Sequence, residues 1–183
     1  MSYYDELAPG YDELHKEEQE RKLDIVLEEL AKMDVEGDIL DVGCGTGFSL
    51  NTLAEAFPES RCVGVEPSSG MREQYKGEKE LVAGEVEKLP FPDDRFGATV
   101  SLTAIQNFAD VSRGVAEMVR VTRPRGSLIV TCLKRSRKLK EVSRELAEQA
   151  VVEDIIEEDK DLIFRCRAPE PCILNISSSE ERP

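Results

Sequence analysis

The chain has 183 residues, 40% hydrophobic and 34% charged, enough for one domain with its own core. No apolar run approaches the ~20 residues of a membrane helix, and the acidic opening MSYYDELAPGYDELHKEEQERK lacks the apolar centre of a signal peptide. Five cysteines at scattered spacings, no C-x-x-C pair and a single histidine, His15, argue against a disulfide framework or structural zinc and for a cytoplasmic protein with reduced thiols.

The net charge of −14 is unevenly placed: Arg113 to Arg144 holds ten basic residues and two acidic ones, Glu117 and Glu141. That segment is either a basic face for an anionic partner or an ordinary solvated surface. Asn and Gln are scarce beside Glu, Lys and Arg, a composition that leans towards a thermophilic source.

In chain order, residues 11–35 read as a helix, with Leu23, Val26, Leu27, Leu30 and Ala31 forming one apolar stripe. DILDVG is a buried strand. TGFSLNTLAEAF is a helix stopped by Pro58. RCVGVE is a second strand, SSGMREQYKG a short helix, ELVAGE a third strand, and ATVSLTA a fourth after a Pro-rich loop. SRGVAEMVRV is a helix, RPRG a turn and SLIVTCL a fifth strand. Residues 137–150 form a last helix, with Leu139, Val142, Leu146 and Ala150 on one side. VVEDII and DLIFRCRA are closing strands, CILNI is ambiguous, and SSSEERP reads as a disordered tail. This alternation predicts a mostly parallel sheet covered by helices on both faces, with ligands at the carboxyl ends of the strands.

The stretch ILDVGCGTGFSL sits at such an end. Gly43, Gly45 and Gly47 let the backbone approach a ligand closely and adopt positive φ. The dinucleotide fingerprint would place its third glycine at position 48, where this chain has Phe48. Asp41, just before the loop, would repel a pyrophosphate and suits a ligand with positive charge, such as an amino group or a sulfonium. Glu66, at the end of the second strand, is either a ribose-hydroxyl acceptor or a plain strand-end charge. Glu85, at the end of the third, could accept from an adenine amino group.

With ILDVGCGTG, VGVEPSSGM, AGEVEKLPFPDDRFGATVSLTAIQNF and EMVRVTRPRGSLIV in order, residues 36–133 resemble the class I S-adenosylmethionine-dependent methyltransferases (methyltransferase type 11-like). YYDELAPGYDELH resembles their tyrosine-bearing amino-terminal cap. The resemblance implies a Rossmann-like, mostly parallel seven-stranded α/β sheet with one antiparallel strand near the carboxyl terminus. It also implies a single methyltransferase domain over 1–183: a helical cap (1–36), an α/β core (37–176) and the tail (177–183). S-adenosylmethionine would be bound and used for methyl transfer, leaving S-adenosylhomocysteine. Asp41, Gly43, Cys44, Gly45 and Gly47 would line the methionine and ribose. Glu66 and Pro67 would meet the ribose, Met71 would pack on adenine rather than only in the core, and Glu85 with the backbone of Val86 would meet the adenine edge. Thr103 to Asn107 would floor the pocket beside the methyl group, and Tyr11 (or Tyr4) would close over it.

Because the methyl donor is already activated, the protein needs to align an acceptor and exclude water more than to build a nucleophile. No general base stands out; His15 on a charged helix reads as solvated. TAIQNF replaces the Asn/Asp-Pro-Pro-aromatic motif that resembling enzymes use on planar amino groups. Gln106 and Asn107 either hydrogen-bond an acceptor, with Phe108 packed nearby, or cap the next helix. Cys44 reads as packing.

Lys134, Arg135, Arg137, Lys138 and Lys140 follow the fifth strand and should form a cationic rim suited to RNA phosphates, although aromatics for base stacking are few. The TAIQNF loop is loosely similar to that of ribosomal-RNA guanine methyltransferases that work with a small zinc-binding activator subunit; the docking edge would then be the third strand, residues 81–85. The readings are thus a methyltransferase for RNA or a translation-related protein, a small-molecule methyltransferase, or a non-catalytic S-adenosylmethionine-binding protein.

Overall fold

The computed structural model describes residues 11–170, with side chains from Gln19 onward; Tyr4, Cys172, CILNI and the tail lie outside the described residues, as do the side chains of Tyr11 and His15. The amino-terminal helix α1 spans Tyr11–Ala31. Then follow β1 (Ile39–Val42), α2 (Phe48–Ala56), β2 (Cys62–Glu66), α3 (Ser69–Gln74), β3 (Glu80–Ala83), β4 (Phe96–Ser101), α4 (Val111–Val121), β5 (Thr122–Leu133), α5 (Leu139–Gln149), β6 (Val151–Glu157) and β7 (Asp161–Arg167). The seven strands form one sheet in the order β3-β2-β1-β4-β5-β7-β6. β1 to β5 are mutually parallel, and β7 runs antiparallel to both β5 and β6, the single reversed strand that was expected.

Apolar side chains alternate between two layers, as the two-residue period of a strand requires. Leu40, Val42, Val63, Val65, Leu128 and Val130 pack against Val111, Val115 and Met118 of α4 and Val142 and Leu146 of α5. Ile39, Cys62, Ala98, Val100, Ile129 and Ile163 pack on the other face against Val26 and Leu30 of α1 and Leu50 and Leu53 of α2. All four residues of β1 are buried. Asp41 shares parity with Ile39 and so belongs to the α1/α2 layer.

Four sequence expectations need correction. α1 ends at Ala31 rather than 35, and Ala31 itself is exposed, while Lys22 and Glu29 are buried on the docking face. β3 ends at Ala83, so Glu85 is exposed two residues beyond it, as the cap of a 3-10 turn over Val86–Lys88. β4 ends at Ser101, so Thr103 and Ala104 lie in the loop that follows it. RPRG does not interrupt β5: pairing with β4 jumps from Phe96↔Thr122 to Ala98↔Ser127, and the extra residues form a bulge with Arg125 at φ 62°. At the bulge the Arg125 N–H donates to the Ala168 carbonyl (3.0 Å) and the Gly126 carbonyl accepts from the Ala168 N–H (3.0 Å).

The strand order reverses between β1 and β4. The chain leaves β1 for α2 on one face, and leaves β4 for α4 on the other. A crevice therefore opens at their carboxyl ends, between residues 43–47 and 102–107.

Candidate functional site

The loop after β1 takes left-handed backbone at Gly43 (φ 73°), Gly45 (φ 57°) and Gly47 (φ 84°). Two of these positions admit no side chain. A Cβ on Gly43 would lie 2.6 Å from the Ala104 Cβ, and one on Gly47 would lie 2.3 Å from the Tyr75 ring. A Cβ on Gly45 would meet nothing within 4 Å among the described residues, so this backbone faces open space. The loop is tied to β2: the Gly43 and Cys44 N–H groups both donate to the Val65 carbonyl (2.8 and 3.2 Å). Gly47 is the N-cap of α2 and supplies no side-chain cap.

Two carboxylates flank the loop. Glu66, 7% exposed, accepts from the N–H groups of Gly45 (3.0 Å) and Ser68 (2.9 Å), one on each oxygen. Asp41, 1% exposed, accepts from the Ser49 hydroxyl at 2.5 Å through Oδ2, while its buried Oδ1 has no hydrogen-bond partner among the described residues. Burial pushes the Asp41 carboxyl up to about 7, Ser49 partly offsets this, and the Glu66 charge adds to it. A buried carboxylate with an orphaned oxygen, on the strand that leads into the glycine loop, fits a ligand carrying positive charge. Burial first, then the nearby Asp41 and Glu66 charges, raise the buried Cys44 thiol well above its ordinary value, which makes it packing rather than a nucleophile.

The other sequence-selected residues divide. Pro67 is exposed at the mouth, and Met71 is buried, its N–H held by the Ser68 hydroxyl at 3.2 Å. Val86 is part of the core. On the loop after β4, Thr103 is half-buried with φ 54°. The Gln106 amide donates to the Thr103 carbonyl (2.6 Å), and its buried Oε1 has no partner among the described residues. Asn107 is exposed, and its N–H closes a turn on Ala104 (2.8 Å). Neither residue caps α4; Asp110 does, accepting from the Arg113 N–H (3.0 Å). The Phe108 ring is buried over Gly114 in the core.

Sequence reading missed the polar support of this loop. Thr131 Oγ1 accepts from the Thr103 N–H (2.7 Å), and the buried Lys22 ammonium donates to Thr103 Oγ1 (2.6 Å). The signal available was modest: a lysine one residue before an apolar stripe, Leu23 onward, on a helix otherwise rich in glutamate.

Comparison with known proteins agrees with this geometry. The family described as "Methyltransferase domain" matches residues 40–130. An uncharacterized protein of Methanocaldococcus jannaschii, MJ1252, is 35% identical over 133 residues, 70% of this chain and 49% of that protein. Demethylmenaquinone methyltransferase of Symbiobacterium thermophilum is 37% identical over 109 residues, 54% of this chain and 43% of that enzyme. The chain thus spans about half the length of the curated relatives it matches. Among solved structures, a complex of the Haloferax volcanii Trm112 methyltransferase activator with a methyltransferase matches with a TM-score of 0.77 at 18% identity. That match covers 93% of this chain and 99% of the matched one, a likeness of fold. With the predicted motifs in place on that fold, and the family match running from β1 into β5, the chain belongs to the class I S-adenosylmethionine-dependent methyltransferases.

Proposed function

We propose that the chain methylates RNA or a translation-related protein, with S-adenosylmethionine as donor. The observation that carries the donor half is the left-handed glycine loop, open at Gly45, which follows the strand holding the buried Asp41, whose Oδ1 has no hydrogen-bond partner among the described residues. In this reading Asp41 and the glycine loop hold the methionine part, Glu66 accepts from the ribose hydroxyls, and Met71 and the Val86 backbone bound the adenine with Glu85 at its edge. The cofactor supplies the activated methyl group. The protein's own work is to hold the acceptor over residues 103–107 and to exclude water. Gln106 Oε1 is the polar atom there best suited to receive a donor from an acceptor. Tyr11, at the start of α1, is proposed to close the site.

The acceptor class is supported by the cations after β5, which follow its carboxyl end on the same edge of the sheet as the glycine loop. Arg135, Arg137 and Lys140 are exposed; Lys134 pairs with Glu157 (3.2 Å), and Lys138 donates to the Phe108 carbonyl. Among the described residues β3 has only β2 as a neighbour, and that edge offers a place for a small zinc-binding activator subunit to pair, in keeping with the Trm112 complex that shares the fold. A small-molecule acceptor is the alternative, favoured by likeness to the demethylmenaquinone enzyme. A chain that only binds the cofactor is the third reading.

Labelled S-adenosylmethionine, incubated with the protein and cell lysate, tests this directly. Label in RNA or in a translation protein supports the proposal. Label in lipid or metabolite fractions supports the second reading, and no transfer despite cofactor binding supports the third. Replacing Arg135, Arg137 and Lys140 by Gln should lower the salt dependence of RNA binding by about two charges while sparing cofactor affinity.

A further inference from the structure

α1 is fastened to β7 by a seam of alternating contacts. Lys22 Nζ lies 2.8 Å from Asp161 Oδ2, both side chains 0% exposed. Val26 and Leu30 share a cluster with Ile163, Arg165 Nη1 donates to Glu29 (2.6 Å), and Arg167 Nη1 donates to the Met33 carbonyl (3.0 Å). Asp161 pairs with Leu133 at the carboxyl end of β5, and Arg167 with Ser127 nearer its amino end. The helix therefore descends from the carboxyl edge of the sheet, and residues 11–21 extend beyond that edge by roughly 16 Å at 1.5 Å per residue.

At the edge, the same ammonium reaches the acceptor loop. Thr103 holds a left-handed φ of 54°, which is costly for a β-branched residue. Four bonds fix it: its N–H donates to Thr131 Oγ1 (2.7 Å), its hydroxyl accepts from Lys22 (2.6 Å) and shares a hydrogen bond with the Thr131 hydroxyl (3.2 Å), and its carbonyl accepts from Gln106 (2.6 Å). The next residue, Ala104, stands against Gly43 of the cofactor loop. A buried ion pair is a poor source of net stability, because desolvation offsets most of the attraction and an apolar pair would serve as well. An apolar pair could not make the bond to Thr103.

We propose that Lys22 is a positioning residue that couples α1 to residues 102–107, so that the helix standing over the site and the loop that floors it order as one unit. This rests on the methyl-transfer reading for its purpose and for the transfer assay, but not for the exchange measurement. Native-state hydrogen exchange on the unsubstituted full chain, in rising urea and without ligand, should give one shared opening isotherm for the Thr103 and Asn107 amides and for the α1 amides from Val26 to Leu30. Separate isotherms overturn the proposal. In the double variant Lys22→Met/Asp161→Leu, α1 should stay protected while the loop amides exchange about tenfold faster or more. S-adenosylhomocysteine affinity should hold within about threefold while label transfer to lysate RNA falls about tenfold, since one charge-assisted bond to the loop is lost. Unchanged loop protection or unchanged transfer overturns the proposal; should the double variant not fold, the wild-type isotherms decide. If S-adenosylhomocysteine fails to bind the wild-type chain, the methyl-transfer reading fails instead, and the exchange result still stands or falls alone.

Discussion

Asp41 makes stability and cofactor affinity depend on pH in opposite senses. Its carboxyl, ordinarily at 3.8, is raised to about 7 in the folded chain, chiefly by burial. Between these values the folded state keeps a proton that the unfolded state has released. The contribution is fully present below about pH 4, is lost as pH rises towards 7, and changes no further above it. The whole span corresponds to ~4 kcal/mol, and the part between pH 5 and 7 to ~3 kcal/mol. Asp41→Asn removes this titration and retains an acceptor for Ser49. Urea unfolding of both proteins without ligand should therefore show the variant gaining on the wild type by ~3 kcal/mol from pH 5 to pH 8. The comparison between variants cancels the opposite trend from Glu29 and Glu117, which hydrogen bonds to Lys32 and Arg120 hold below their usual range. Cofactor binding should run the other way. A cationic ligand needs the ionised carboxylate, so wild-type affinity for S-adenosylmethionine should weaken up to about tenfold per pH unit below 7, and that of Asp41→Asn should be weak and flat. A stability gap of equal size at pH 5 and pH 8 would refute the reasoning.

Three further outcomes are expected. Gly45→Ala, at a left-handed position with open space around it, should cost about 1 kcal/mol, whereas Gly47→Ala, whose methyl would overlap the Tyr75 ring, should cost about 3 kcal/mol or more by thermal unfolding; equal effects would contradict the loop geometry. Glu66→Gln should weaken S-adenosylmethionine binding ten- to a hundredfold by calorimetry while changing stability by about 1 kcal/mol, since an amide keeps only one acceptor oxygen. Arg120 ties the Pro-rich loop to α4 through the carbonyls of Leu89 and Phe91 and the carboxylates of Asp93 and Glu117; Arg120→Met should lower unfolding free energy by about 2–3 kcal/mol, and no loss in urea titration would contradict that role.

Much of the architecture is legible in sequence because it depends on local pattern. β1, β2 and the second half of β5 are short apolar runs bounded by glycine or charge, as strands buried on both faces must be. The glycine loop is legible for the same reason: left-handed backbone at three positions leaves a compositional mark. The rim cations are visible, but not that Lys134 is already paired with Glu157. What sequence conceals is polar burial. Lys22, Glu29 and Asp161 look like solvated residues, but the packing of α1 against β7, elements far apart in the chain, pairs Lys22 with Asp161 and Glu29 with Arg165. The RPRG stretch misleads in another way. Pro and Gly punctuate a chain in general, but here the Ala168 carbonyl and the β4 register absorb the extra residues as a bulge. Phe108 misleads too, since an aromatic beside a predicted pocket turns instead onto Gly114.

The central claim is that this crevice holds a sulfonium nucleoside and not a dinucleotide, because Phe48 stands where a third fingerprint glycine would lie and buried Asp41 repels phosphate. Titration calorimetry of the full chain at neutral pH with S-adenosylmethionine, S-adenosylhomocysteine and a nicotinamide dinucleotide tests it most directly. The account predicts saturable one-site binding of the first two and no heat with the third; a saturable dinucleotide signal with silence from both sulfur nucleosides would contradict it.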